Sequence, residues 1–168
     1  EIGNLPAEVL EHQDSFPVPS ERLRAAVAGV ADLSNRQRAC RELAIVMAHR
    51  DEALPLLEAA FAQVNGEPKL TYAKILGFLG QRSAVPVLQQ TLDQVTTWDP
   101  KVLQGTMAEY AHLPTPVDSL VMALGHTGDP KALPAILAKL KLLDAQVTLS
   151  HHRAVALALE QIGDPAAA

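Results

Sequence analysis

The sequence predicts an all-α fold, and three observations predict it. Apolar residues make up 48% of the 168 positions and aromatics only 4%, and most of the apolar content is Ala and Leu, the strongest helix formers. Polar residues stand directly before proline at Asp99-Pro100, Thr115-Pro116 and Asp129-Pro130, the order of an N-cap followed by a first-turn proline. The valine-containing stretches keep a spacing of three or four rather than two, which excludes convincing strands.

Charge and cysteine usage narrow the classes further. The formal net charge is −5 with a pI near 5.6, which argues against a large nucleic-acid footprint, since that needs clustered cations. No run approaches the roughly 18 to 20 apolar residues of a membrane span. Cys40 is the single cysteine, so no internal disulfide forms. It is expected to be a small buried hydrophobe. The compartment stays open, with the cytoplasm favoured.

The elements follow in chain order. Residues 1–19 carry Pro6, Pro17 and Pro19, with four acids and no Lys or Arg. They read as a lead-in segment: a short helix from Pro6 to about Gln13, then an extended Phe16-Pro17-Val18-Pro19. The main domain is expected over 20–168. Ser20 caps a helix to about Ala31, Ser34 caps one to about His49, and Asp51 caps one that stops at Asn65-Gly66. Further helices are expected over about 69–79, 83–96, 100–112, 116–126, 130–143 and 148–162. The chain starts without an initiator Met and stops within a repeat, so it is expected to be a piece of a longer protein.

Self-similarity is the most specific signal. Leu76-Gly77-Phe78-Leu79-Gly80 and Leu124-Gly125-His126-Thr127-Gly128 share the pattern L-G-x-x-G. Each is followed by three residues and then Ala, an aliphatic residue and Pro, as Ala84-Val85-Pro86 and Ala132-Leu133-Pro134. A third copy opens at Leu159 and reaches Gly163-Asp164-Pro165. A degenerate copy is Ala53-Leu54-Pro55-Leu56-Leu57, with His49 where the second Gly would stand. The first Gly lets two helices approach. The second ends a helix in the left-handed conformation. Asp or Ser after it caps the next helix, and Pro is tolerated in that helix's first turn. The unit is a helical hairpin whose apolar faces need stacked neighbours.

This pattern resembles the HEAT-repeat family, in the short bacterial form also found in phycobilin lyases, over about residues 34–168. The resemblance implies an armadillo-type, right-handed α-α superhelix. Spacing departs from it in one place. Pro55 and Pro86 are 31 residues apart, but Pro86 and Pro134 are 48 apart. The surplus falls at about 98–116 and is expected to be a helical insertion. The deoxyhypusine hydroxylases of the same family bind iron through His-Glu pairs. The matching positions here are Leu70-Thr71, Asp118-Ser119 and Arg153-Ala154, so that activity does not carry over.

The remaining chemistry is sparse. His151 and His152 are neighbours and point about 100° apart on a helix, so they cannot share a metal. His49 and His126 fall near helix ends and read as solvated or capping. Ser34 and Ser83 read as caps, and no G-x-S-x-G is present. Arg36, Arg38, Arg41 and Arg50 form a basic cluster opposed by Glu42, which reads as a solvated face. No catalytic residue, metal site or cofactor is expected. The expectation is a non-catalytic scaffold with a concave surface for a protein, or for another domain of the same polypeptide, as an accessory module of a larger bacterial protein. Candidate contact residues are Trp98 and Tyr110 in the insertion, with Gln89, Gln90, Asp93, Lys139 and Lys141 on the second helices. The alternatives are a phycobilin-lyase-like enzyme or chaperone holding a tetrapyrrole, or an accessory domain of a multidomain oxidoreductase.

Overall fold

The computed structural model describes residues 20–98, 114–144 and 149–165. The lead-in, the helix expected over 100–112 and Tyr110 within it lie outside the described residues. All regular structure among the described residues is helical, in eight α-helices and two short 3-10 turns. The chain divides into two compact units, residues 1–68 and 69–168.

The first unit contains α1 (Ser20–Gly29), α2 (Arg36–Ala48) and α3 (Arg50–Gln63). Leu23, Ala26 and Val27 of α1 are buried, as are Ala39 and Val46 of α2 and Ala53 and Leu57 of α3. Each set recurs at three-, four- or seven-residue spacing, so one stripe per helix faces the core. The polar exception is Glu42, which is buried. Its Cγ lies 2.8 Å from where a Cβ on Gly29 would stand, so glycine makes room for it. Arg22 reaches its carboxylate at 2.6 Å and Arg38 stands at 3.9 Å.

Three expectations for this unit need correction. Asn35, not Ser34, caps α2, accepting from the Arg38 amide at 3.0 Å. Ser34 instead turns back to Asp32, with its hydroxyl at 2.5 Å and its amide at 3.2 Å. Those two donors hold the Asp32 carboxyl below the ordinary carboxylate range. The cap of α3 is His49, which also closes α2, and it makes no side-chain cap bond. Asp51 falls in the first turn, where its charge meets the positive end of the helix. Cys40 is exposed. Neighbouring Ala39 takes the inward position, one-third of a turn away.

The second unit contains most of α4 (Gly66–Phe78), then α5 (Val85–Asp93), α6 (Pro116–His126), α7 (Leu133–Leu140) and α8 (Leu149–Ile162). A 3-10 turn precedes α5 at Arg82–Ala84, and another precedes α7 at Pro130–Ala132. Asp129 caps its turn by accepting from the Lys131 amide at 3.0 Å. At the matching place the cap is Gln81, with no side-chain bond, and Ser83 lies inside the turn. The expected Ser83 cap is therefore absent, because the chain is already turning when it reaches Ser83.

The repeated residues play repeated parts. Gly80, Gly128 and Gly163 all have positive φ, at 79°, 60° and 65°. Ala53, Ala84 and Ala132 are fully buried, and so is the aliphatic residue four positions after each: Leu57, Leu88 and Ile136. A Cβ on Gly77 would stand 2.7 Å from the Ala123 carbonyl oxygen, and one on Gly125 would stand 2.6 Å from Ala158 Cβ. In each case the glycine meets the residue two places before the matching position of the next copy, Gly125 and Glu160. α6 and α8 thus pack in parallel at one fixed register.

Candidate functional site

A buried polar cluster lies between α6 and α8. Asp118, in the first turn of α6, is 1% exposed, and His151, in the first turn of α8, is 3% exposed. Thr115 and Asp118 form a capping box. The Asp118 amide donates to Thr115 Oγ1 at 3.3 Å, and the Thr115 amide donates to Asp118 Oδ2 at 2.9 Å. That geometry orients the carboxylate and leaves Oδ1 to other donors. Trp98 Nε1 donates to Oδ1 at 2.8 Å, and His151 Nδ1 meets the same oxygen at 2.6 Å. The indole and imidazole rings also face each other, with centroids 5.4 Å apart and planes at 39°. Three N–H groups converge on one buried carboxylate, which satisfies it as burial requires.

Repeat register sets this cluster apart. The positions that match Asp118 and His151 one copy earlier hold Leu70 and Pro116, which have no polar side-chain atoms to pair. The polar pair therefore belongs to one interface, not to the repeat in general. Sequence reasoning missed it by treating Asp118 only as a position that fails an iron motif and His151 only as a neighbour of His152 that cannot share a metal with it. Helical spacing carried the missing signal. His151 stands on the same face as the buried Ala154, Val155, Ala158 and Ile162. A histidine on a buried face needs a partner.

The contact residues expected from the sequence separate into two groups. Gln90, Asp93 and Lys141 are exposed. Gln89 and Lys139 are spent on joining hairpins. Gln89 Nε2 donates to the Lys131 carbonyl at 2.6 Å, and Lys139 Nζ donates to the Val95 and Asp93 carbonyls at 2.7 and 3.3 Å. Trp98 is half-buried, with its indole N–H donating into the Asp118 cluster.

His126 and His49 both act locally. His126 Nδ1 lies 2.9 Å from the Met122 carbonyl, and its ring packs against Phe78 at 5.0 Å. His49 stands 3.6 Å from Glu52, at the rim of a groove of about 270 Å³ that Leu23, Pro55 and Leu56 line in the first unit. Among the described residues, no three His, Cys, Asp or Glu side chains are grouped to hold a metal ion. No helix there is long and apolar enough to cross a membrane.

Comparison with protein-family models, with curated proteins and with solved structures finds no match to this chain. Its chemistry is therefore argued from its own residues.

Proposed function

We propose that this chain is a non-catalytic protein-interaction module, a right-handed superhelical stack of HEAT-like hairpins. Its second helices, α5 and α7, face a partner protein or another domain of the same polypeptide. The observation that supports this reading is the repeated interlock of Gly77 on Ala123 and Gly125 on Ala158. A contact recurring at one register is how hairpins that cannot bury their own apolar faces shelter one another. Stacking of that kind leaves one ridge of second helices free along its length. Gln90, Asp93 and Lys141 stand exposed on or beside those helices and offer hydrogen bonds and both signs of charge.

The reading is tested with a partner found by affinity capture and then purified. The variant Gln90→Ala/Asp93→Lys/Lys141→Glu should keep its helical content and lose at least about tenfold in affinity, the equivalent of 1.4 kcal/mol. Unchanged affinity would assign binding to another face. A purified chain that holds no partner specifically would remove the interaction role.

A further inference from the structure

We propose that the Asp118 carboxylate is a clasp. It makes the docking of α8 on α6 and the seating of the Trp98–Thr115 junction a single cooperative event. The inference stands on the cluster's geometry and does not depend on the interaction role proposed above.

The argument begins with where the donors come from. Trp98 follows α5, Thr115 opens α6, and His151 opens α8. Trp98 and Thr115 are the two roots of the stretch that exceeds the repeat spacing, and both roots end on one side chain. Oδ2 takes the Thr115 amide, and Oδ1 takes both Trp98 Nε1 and His151 Nδ1. Trp98 and His151 thus share an acceptor oxygen and a ring contact. Neither can leave without exposing the other's partner to an unfilled, buried site.

The cost of such an arrangement indicates its use. A buried hydrogen-bonded pair can be exchanged for apolar groups of the same shape at little cost, yet removing one partner leaves a buried group unsatisfied and is destabilising. The preceding interface has Leu70 and Pro116 at these positions, so docking of successive hairpins does not require the pair. α8 already has an apolar anchor on α6, where Gly125 receives Ala158. The polar pair adds a link between that docked helix and the junction. Coupling of this kind is reciprocal: loosening either side loosens the other by the same factor.

The chain has one tryptophan, so Trp98 emission reports the junction and amide exchange in α8 reports docking. Trp98→Phe keeps a ring and removes the indole donor. It should speed exchange of the α8 amides of residues 153–156 about ten- to a hundredfold, the loss expected for one bond to a charged group. The amides of α1–α3 serve as the unchanged reference. His151→Ala should open Trp98 to acrylamide quenching and speed exchange of the Thr115 amide.

Wild-type exchange in α8 of Trp98→Phe would overturn the clasp. So would a shielded Trp98 in His151→Ala. Should His151→Ala lose its helical content, Asp118→Leu/His151→Leu decides. That pair restores an apolar interface, so α8 should stay helical and protected while Trp98 becomes open to quencher. Trp98 shielded in that variant would overturn the proposal.

Discussion

Gly125 of α6 receives Ala158 of α8 so closely that a Cβ on the glycine would stand 2.6 Å from the alanine Cβ and 2.8 Å from the alanine carbonyl oxygen. Gly77 receives the Ala123 carbonyl oxygen of α6 in the same way, at 2.7 Å. In both places the obstacle is backbone or the stub of a side chain, so no rotamer change relieves it.

Gly125→Ala and Gly77→Ala should therefore each destabilise the chain. Alanine gains about 1 kcal/mol of helix propensity over glycine. Overpacking against a fixed neighbour costs about 1–3 kcal/mol, so a net loss of up to about 2 kcal/mol is expected. Gly80→Ala is the contrasting case. Its φ is 79° and a Cβ there would stand 3.7 Å from the His126 carbonyl oxygen, an ordinary contact, so it suffers only backbone strain of about 1–2 kcal/mol. Denaturant unfolding of the three variants checks these losses. A Gly125→Ala chain as stable as the wild type would remove the close approach.

The start of α2 gives a second prediction. Asn35 caps it and Ser34 does not, so Asn35→Ala should cost about 1 kcal/mol. Ser34→Ala should cost less, and its distinct effect should be electrical. Without the hydroxyl donor, the Asp32 carboxyl should titrate closer to the ordinary carboxylate range. An NMR titration of Asp32 and a pair of unfolding curves separate the two roles.

Much of this fold was legible because glycine and proline act through backbone rules that need no tertiary context. Gly80, Gly128 and Gly163 have positive φ where the repeat placed them, and α6 runs Pro116–His126 as Thr115-Pro116 announces. Caps were harder to read. Ser34 and Asn35 are adjacent and both competent, and Asp32 decides between them by drawing Ser34 away. The polar cluster was hardest. Asp118 and His151 lie 33 residues apart in sequence, and no local pattern pairs them. Only the buried face of α8, followed through His151, Ala154, Val155 and Ala158, points to the interface where they meet.

Burial of Tyr72 raises its phenol above the ordinary value of 10.0, and this gives a pH prediction. A folded-state value above the unfolded one means that the stabilising contribution is complete below about pH 10 and is lost as the pH rises through the folded value. In a Tyr110→Phe background, phenolate absorbance should therefore appear later than for free tyrosine. Tyr72→Phe should flatten the alkaline fall in stability. Phenolate forming at the ordinary value while the helices persist would contradict the burial.

Removing Asp118 should be the most damaging single change in the second unit. Asp118→Ala deletes the side-chain half of the α6 capping box. It also leaves the Trp98 indole N–H and His151 Nδ1 without their shared acceptor inside a buried site. Leaving a buried donor without its acceptor costs about 1–3 kcal/mol for each donor, and the lost cap adds to it. Asp118→Asn keeps an acceptor oxygen for one of these donors, so it should retain part of the stability and lose the pairing with His151. Thermal unfolding followed by far-UV circular dichroism should rank wild type above Asp118→Asn and Asp118→Ala lowest. Equal midpoints for the three would mean that the carboxylate carries none of the load assigned to it.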